Sequence, residues 1–292
     1  MKLSIFYDHV KDAARQSGKS VEEILQESFA AGITAADINN ETLKNEPDFP
    51  AMLERVGMTL SCSFQFYDWN GKEYGDLTVL KAQVDGAASL GAKNILVIPG
   101  FLPDDEAKTL NTLLDDIPIP DHPYIDSRLD AFMKDSEHIT KMVEMLRLAV
   151  AYAKTKGITV SLEDFDGFNA PFARTLPLLW FMQNVEGLGF TFDTGNFIYS
   201  DERMEDAFTL LAPYLVHVHT KDRGEEASCT GYRYKKGMAP AATGSGYLAI
   251  GKYAEKLVTS GYDGYFAIEH YGHSNQEEAI LSSAEYLKSF DR

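Results

Sequence analysis

The chain repeats one pattern: an amphipathic segment, a glycine, and then a short apolar run. VEEILQESFAAG leads into ITAADI, AMLERVG leads into MTLSCSF, and ITKMVEMLRLAVAYAKTKG leads into ITVSLED. The amphipathic segments predict helices, and the apolar runs have the length of buried strands. The glycines stand where a helix favours a left-handed C-cap. Ser20 with Glu23 predicts a capping box, and Asp76 and Ser136 are suited to cap later helices.

The repeated pattern predicts a barrel. Apolar strands that alternate with helices indicate a parallel sheet covered by helices, and eight such units close into a (β/α)8 TIM barrel. An open doubly wound sheet is the rival, but the first strand is followed by FYDHVKDAARQSGKS rather than a GxGxxG turn. We therefore predict an α/β fold with one domain over 1–292. The eight strands are expected near residues 3–7, 34–38, 58–64, 94–98, 158–163, 189–193, 214–220 and 265–269.

Two connections between the predicted elements are long. Residues 101–134, after the fourth strand, are rich in Asp and Pro. Residues 222–246, after the seventh strand, include the basic run GYRYKKG. Loops of this length in a compact domain are usually functional, and loops that follow barrel strands lie over the C-terminal face, where active sites form.

Composition narrows the class of protein. The chain has 292 residues, of which 45% are hydrophobic and 24% charged, as in an ordinary globular domain. The formal net charge of −17 disfavours nucleic acid and anionic membrane surfaces as partners. There is no run of about 18 apolar residues, so we expect no membrane span.

The cysteines and the N-terminus bear on the compartment. Cys62 and Cys229 belong to no CxxC motif, which favours a reducing compartment over a disulfide framework. The N-terminal run MKLSIFYDHV is broken by Asp8 and is too short for a signal peptide. We expect a cytoplasmic protein.

Four consecutive predicted strands place a metal-type ligand at or near their C-terminal ends. VSLE ends in Glu163, FTFD ends in Asp193, the seventh strand carries His219, and FAIE ends in Glu269. In a closed barrel these ends converge on one rim. An oxygen-rich set with one imidazole suits one divalent cation, Mn²⁺, Mg²⁺, Co²⁺ or Zn²⁺.

Simpler interpretations exist for each residue alone. A carboxylate at a strand end can cap a helix, and a strand histidine can be a hydrogen-bonded core residue. Carboxylates buried side by side repel each other, however, and require a compensating cation. The four residues together therefore favour a metal site.

The sequence VHVHTKD carries two histidines with the spacing of one strand face. His217 and His219 point the same way, and His219 is nearer the C-terminal rim. His217 lies roughly 6–7 Å deeper, too far to share the ion easily. We expect His217 to hydrogen-bond within the barrel or to support a metal-binding carboxylate.

The motifs SLEDFD, FTFDTGN, HVHTKD and AIEHYG resemble those of the xylose-isomerase-like TIM-barrel superfamily of sugar phosphate isomerases and epimerases. That superfamily includes ketose 3-epimerases, inosose dehydratases and endonuclease IV. The segment ATGSGYLAIGKY, with Gly244 and Gly246, resembles its G-x-G segment. The resemblance implies that Glu163, Asp193, His219 and Glu269 bind one divalent cation and that the two glutamates are the catalytic acid/base pair.

The resemblance implies an enzyme of carbohydrate metabolism. It points to a metal-dependent isomerase or epimerase that acts on a small sugar, polyol or sugar phosphate through a metal-stabilised ene-diolate. The alternative is a metal-dependent dehydratase of the inosose dehydratase type. An endonuclease IV-like phosphodiesterase is disfavoured because the second, third and fourth strands lack the additional histidine ligands. A barrel that only binds a sugar is disfavoured by the intact ligand set. The resemblance also implies a homodimer or homotetramer.

Substrate contacts are expected around the rim. Asn196 stands where many members of the superfamily have a histidine, and an amide can bond a hydroxyl but cannot carry a proton. Arg223 is expected to hold a substrate oxygen or phosphate, with a solvated charge cluster of Lys221, Asp222 and Arg223 as the alternative. His9 and Trp69 follow strands and are expected to contact substrate, with packing beneath a lid as the alternative for the aromatic ring of Trp69.

Three further residues near these motifs are expected to have lesser roles. We expect Asp164 to cap the next helix rather than bind substrate. His270 and His273 follow Glu269 by one and four residues, and we expect them to be surface loop residues rather than supports of a metal ligand.

Overall fold

The barrel expected from the repeated pattern is present in the computed structural model, which describes residues 1–230 and 233–291. Eight parallel strands close into a barrel in which each strand pairs with its neighbours in the sequence and the first pairs with the last. The predicted (β/α)8 fold is confirmed, and each strand begins and ends within two residues of its expected bounds. The strands are β1 Lys2–Phe6, β2 Ile33–Asn39, β3 Thr59–Phe66, β4 Asn94–Ile98, β5 Thr159–Glu163, β6 Gly189–Asp193, β7 Leu215–Thr220 and β8 Tyr265–Ile268.

Helices surround the barrel, and their ends follow the predicted signals. Ser20 accepts a hydrogen bond from the Glu23 amide, and the Glu23 side chain accepts one from the Ser20 amide. Gly57 ends α4 with a φ of 87°, a conformation that glycine adopts without strain. The helices are α1 Tyr7–Ser17, α2 Val21–Ala30, α3 Asn40–Asn45, α4 Phe49–Val56, α5 Thr78–Ser89, α6 Asp104–Asp115, α7 Ser127–Asp135, α8 Glu137–Lys154, α9 Thr175–Asn184, α10 Met204–Leu211, α11 Ile250–Thr259 and α12 Gln276–Lys288, with short 3₁₀ turns at Phe197–Ser200 and Ala212–Tyr214.

The two long connections contain regular structure. Residues 101–134 hold α6 and most of α7, so this segment is largely helical rather than an open loop. The segment 222–246 contains four short strands, Asp222–Gly224, Ala227–Thr230, Arg233–Lys236 and Ala239–Ala241, which form two antiparallel pairs. Residues 231 and 232, which begin the basic run GYRYKKG, lie outside the described residues.

Successive residues of a barrel strand face alternately the surrounding helices and the barrel interior. On β6, Phe192 packs outward against the rings of Phe208 and Tyr253, with centroids 5.3 and 5.5 Å away. The next residue, Asp193, points to the opposite face of the strand, toward the barrel interior. The helices therefore hold the strands from outside while the interior is left for polar side chains. Across the described residues, no helix has the length and apolar character needed to cross a membrane.

Candidate functional site

The four predicted ligands lie together at the C-terminal rim of the barrel. Parallel pairing places Asp193 of β6 beside His219 of β7, and His219 beside Ala267 of β8. Glu163 ends β5, and Glu269 follows β8 directly. All four side chains are buried. The strand register thus brings three carboxylates and one imidazole to one place, as the sequence predicts.

One nitrogen of His219 is the centre of this cluster. Its Nδ1 lies 3.1 Å from Oε2 of Glu163, 3.3 Å from Oε2 of Glu269 and 4.0 Å from Oδ2 of Asp193. Glu163, Asp193 and His219 each offer one ligand atom within 4.8 Å of the other two. Such spacing allows a single cation to be shared.

The cluster is electrostatically costly without a metal. Burial raises the pKa of Glu269 to about 8, and the neighbouring Asp193 carboxylate adds to the rise. Burial alone would lower the pKa of His219, but its hydrogen bond to Glu163 and the nearby carboxylates raise it to about 9. In the metal-free protein, protons therefore supply part of the positive charge that the carboxylates require.

Lys221 supplies the rest of that charge, which the sequence did not lead us to expect. Its Nζ lies 2.8 Å from Oδ2 of Asp193 and 2.5 Å from Oε1 of Glu269. Burial opposes the charged ammonium, but these two carboxylates hold the pKa of Lys221 above its usual range. One signal in the sequence could have indicated this role: Lys221 stands two residues after His219, the spacing at which two side chains share one face of a strand.

The donor set fits a divalent cation. Oε2 of Glu269 is buried and accepts no hydrogen bond from any described residue. A buried carboxylate oxygen in that condition needs a partner, and a cation is the partner that also relieves the repulsion between the carboxylates. Three carboxylates and one imidazole are the donors that Mg²⁺, Mn²⁺, Co²⁺ and Zn²⁺ accept. Glu163, Asp193, His219 and Glu269 could therefore hold such an ion.

A second polar cluster lies deeper in the barrel, around Asp37 of β2. Nε2 of His217 lies 2.6 Å from Oδ2 of Asp37. The hydroxyls of Ser4 and Ser61 both donate to Oδ1 of the same carboxylate. Nε2 of His219 lies 3.8 Å from Oδ2 of Asp37. His217 therefore bonds within the barrel, the first of its two expected roles, and it does not contact a metal-binding carboxylate.

The Asp37 carboxylate is charged and held in place. Burial alone would raise its pKa, but His217, His219 and the Ser61 hydroxyl keep it below its usual range. Cys62 stands close enough to form a ligand trio with Asp37 and His217. The carboxylate and the imidazole are already bonded to each other, however, so the geometry favours a structural network over a second metal site.

A cavity of about 530 Å³ opens above the ligand cluster. Two predicted substrate residues line it. Asn196 accepts hydrogen bonds at Oδ1 from Nζ of Lys221 at 3.0 Å and from the Arg223 guanidinium at 3.3 Å. The guanidinium also donates to the carbonyl oxygens of Gly195 and Met238, which fixes its position. Arg223 is thus a buried wall residue, not part of a solvated charge cluster.

Asp222 lies between Lys221 and Arg223 in the sequence, and it explains why glycine stands at both Gly244 and Gly246. Its Oδ2 accepts hydrogen bonds from the amides of Gly244 and Gly246, at 2.9 and 3.0 Å. A Cβ at Gly246 would lie 2.3 Å from the other carboxylate oxygen, so only glycine fits there. The G-x-G segment wraps around this carboxylate and thereby holds the loop that follows β7.

Two predicted substrate contacts do not fit the structure. His9 lies in α1, is fully buried, and accepts a hydrogen bond at Nε2 from the His270 amide. Trp69 is fully buried and stacks on Tyr67, with ring centroids 4.4 Å apart. Neither is among the described residues that line the cavity. The prediction that they contact substrate is wrong: both are core residues, because neighbouring aromatic side chains cover them.

Two other residues near the site were also assigned wrongly from the sequence. His270 is buried, lines the cavity and stacks on His9, so it is not a surface loop residue. Asp164 is fully buried and accepts a hydrogen bond from the Asp193 amide at 3.0 Å. It does not cap the next helix, α9, which begins eleven residues later at Thr175. Burial and the nearby Asp193 raise the pKa of Asp164 well above its usual range.

The deeper network leads to a prediction about stability. Asp37→Asn removes a buried charge that His217 faces and should lower the free energy of unfolding by about 3 kcal/mol. Urea denaturation of the variant and the parent measures this. The exposed Asp135→Asn is the matched control, with an expected change within about 0.5 kcal/mol. Equal effects of the two substitutions would contradict a structural role for Asp37.

The raised pKa values lead to a prediction about metal binding. His219, with a pKa of about 9, and Glu269, with a pKa of about 8, hold protons at neutral pH in the metal-free protein. A cation must displace those protons, so its apparent affinity should rise with pH between about 6 and 9. Titration calorimetry with Mn²⁺, in buffers that differ in ionisation enthalpy, should show release of about one to two protons at about pH 7. An affinity independent of pH over that range would contradict this arrangement.

Comparison with known proteins agrees with this architecture. A sugar phosphate isomerase/epimerase from Parabacteroides distasonis superposes with a TM-score of 0.67 at 16% identity, over 100% of this chain and 95% of that one. The probable 3-DHS dehydratase AsbF of Bacillus anthracis, involved in petrobactin synthesis, superposes with a TM-score of 0.67 at 15% identity, over 99% of both chains.

A third structure was determined with a metal. The xylose isomerase-like TIM barrel protein from Mycobacterium smegmatis, in complex with magnesium, superposes with a TM-score of 0.62 at 19% identity, over 91% of this chain and 86% of that one. At these identities the similarity establishes the fold alone. No functionally curated protein matches the sequence. Residues 25–290, however, match the family described as xylose isomerase-like TIM barrel, so the chain belongs to that family.

Proposed function

We propose that the protein is a divalent-metal-dependent isomerase or epimerase of a small sugar, polyol or sugar phosphate. The observation that carries the proposal is the pair of glutamates on the cavity wall. Glu163 and Glu269 approach the same nitrogen of His219, at 3.1 and 3.3 Å, from two different strand ends. A reaction that removes a proton and returns one needs two such groups around one reacting carbon. The likeness to the Parabacteroides isomerase/epimerase supports this class.

Glu163, Asp193, His219 and Glu269 would hold the cation. When bound, a divalent cation supplies a Lewis acid that polarises a substrate carbonyl and stabilises the negative charge that develops on it. The ligand chemistry allows Mn²⁺, Mg²⁺, Co²⁺ or Zn²⁺. The magnesium complex of the Mycobacterium relative supports an ion of this group.

The protein's own residues would move the protons. One glutamate removes the proton next to the carbonyl, and the other returns a proton to the carbon skeleton. Lys221 contacts Glu269 at 2.5 Å and would hold that carboxylate in position.

Asn196 and Arg223 would orient the substrate. Both line the cavity beside Lys221, and their own hydrogen bonds fix them before any ligand arrives. A guanidinium and an amide held in this way suit recognition of a hydroxyl or phosphate oxygen. We assign them to substrate binding, with His217 as a support of the barrel beneath.

A dehydratase is the second candidate, and one observation favours it. The Lys221 ammonium lies beside Glu269, so the site contains a proton donor next to the proposed acid/base residue. After removal of the proton next to a carbonyl, such a donor could protonate a departing hydroxyl. The likeness to the AsbF dehydratase supports this alternative. A phosphodiesterase gains no support, because β2, β3 and β4 present Asn39, Phe66 and Ile98 to the cavity in place of metal ligands.

The acid/base assignment is tested by two conservative substitutions. Glu163→Gln and Glu269→Gln should each lower metal-dependent exchange of substrate protons with deuterated solvent by about 10²-fold or more, since an amide accepts no proton. Exchange at the carbons next to the carbonyl is followed by proton NMR with a panel of ketoses. Circular dichroism should show that both variants remain folded.

The exposed Glu186→Gln serves as the matched control and should leave exchange unchanged. Survival of exchange in both active-site variants would contradict the assignment. A parent protein that exchanges no proton with any ketose after metal addition would contradict the proposed function itself.

The mass of the product separates the two candidates. An epimerase or isomerase yields a product of the same mass as the substrate, whereas a dehydratase yields one lighter by a water molecule. We expect the mass to be unchanged, apart from incorporated deuterium, when the product is analysed by mass spectrometry. Loss of water would favour the dehydratase.

A further inference from the structure

The cavity above the proposed metal site has two chemically different halves. The strand ends of β5 to β8 supply its polar half, with the carboxylates, His219 and Lys221. The opposite half comes from β1, β3, β4 and the loop after β5, and it is apolar. That half, which we call the aromatic wall, consists of Phe6, Phe64, Phe66, Leu96, Ile98 and Phe165.

Strand register builds the aromatic wall in two tiers. Phe64 of β3 pairs with Leu96 of β4, and Phe66 pairs with Ile98 one step nearer the rim. Residues two apart on a strand share one face, so both tiers face the cavity. Five of the six wall residues therefore lie on barrel strands, and the sixth, Phe165, lies in the loop after β5.

At the cavity mouth the wall leaves an aromatic ring open to solvent. Phe66 is 45% exposed, although it belongs to a barrel strand. The ring of Phe165 lies 6.0 Å from it at 79° and is backed by Phe101, 5.6 Å away. Exposed apolar surface of this kind inside a concave site usually marks a binding surface.

The aromatic wall is poorly suited to the outer hydroxyls of a free sugar. Few polar side chains line the cavity from this side of the barrel: Asp8, Asn39 and Asp166, and Asp166 pairs with the Arg223 guanidinium at 3.4 Å. Asp8 accepts from the Tyr271 hydroxyl at 3.2 Å, and Asn39 accepts from the Glu41 amide at the start of α3. Hydroxyls pressed against phenylalanine rings lose their water without gaining hydrogen bonds, which disfavours binding.

We propose that the aromatic wall is a subsite for an aromatic ring that the substrate carries. The substrate is then a keto sugar or related polyol with an aryl substituent, not an unsubstituted small sugar. The inference rests on the proposed function, because the polar half is taken to hold the sugar part. A cavity of about 530 Å³ has room for both parts, since pockets for drug-sized ligands span about 300–1,000 Å³. Rings at this wall would meet Phe66 and Phe165 in edge or offset contacts.

Binding of a matched pair of ligands tests the subsite without any turnover. The phenyl and methyl glycosides of one sugar are titrated into the Mg²⁺-loaded protein by calorimetry. We expect the phenyl glycoside to bind about tenfold more tightly or better. Saturation-transfer NMR should show the strongest transfer at the phenyl protons. Equal affinity of the two glycosides would overturn the proposal.

Substitutions locate the preference within the wall. Phe66→Ala should reduce the preference for phenyl to about threefold or less, and Phe66→Leu should give an intermediate value because it keeps apolar volume without the ring. Phe66 is partly exposed, so both variants should fold, which thermal unfolding checks. The control is Phe168→Ala, since Phe168 is 38% exposed but lines a different cavity. A phenyl preference unchanged in Phe66→Ala would overturn the assignment.

Failure of the subsite and failure of the proposed function give different results. A phenyl preference that depends on Phe66, found together with no proton exchange on any ketose, whether unsubstituted or carrying an aryl group, would sustain the subsite and reject the isomerase proposal. Proton exchange on unsubstituted ketoses, found together with equal binding of the two glycosides, would reject the subsite alone.

Discussion

Repulsion between buried carboxylates is the constraint around which this barrel is organised. Glu163, Asp193 and Glu269 all approach one imidazole at the ends of adjacent strands. Such charges cannot be buried together without positive charge between them. In the metal-free structure a raised pKa at His219 and the ammonium of Lys221 provide it. A divalent cation among these carboxylates would supply the same positive charge, so the metal proposal follows from their repulsion.

The barrel interior is layered around that constraint. Beneath the proposed ligands, Asp37 faces His217 and approaches the second nitrogen of His219, which places His219 between two acidic layers. Above the ligands, the cavity divides into a polar half and an aromatic wall. The polar half contains all the proposed acid/base chemistry. The aromatic wall contributes no proton donor or acceptor from its side chains, and its role is therefore recognition.

The fold and the clustering of acidic residues around His219 were predictable from the sequence because both depend on local pattern. Strand periodicity and helix signals need only nearby residues, and a strand-end carboxylate such as Asp193 is recognisable where it stands. The partner of His217 was not accessible, because Asp37 lies 180 residues earlier and meets it only through barrel closure. The burial of Trp69 and His270 likewise depends on side chains from other elements. Lys221 was missed for a related reason: its partners are the proposed ligands themselves.

A crystal structure of the Mn²⁺-loaded protein, with anomalous scattering used to locate the ion, tests the central claim most directly. We expect one manganese peak among Glu163, Asp193, His219 and Glu269. We also expect Nζ of Lys221 to leave Asp193, because the ion takes over that charge, and to keep its contact with Glu269. Crystals soaked in Mn²⁺ that show no peak at this position, with the lysine still between the two carboxylates, would contradict it.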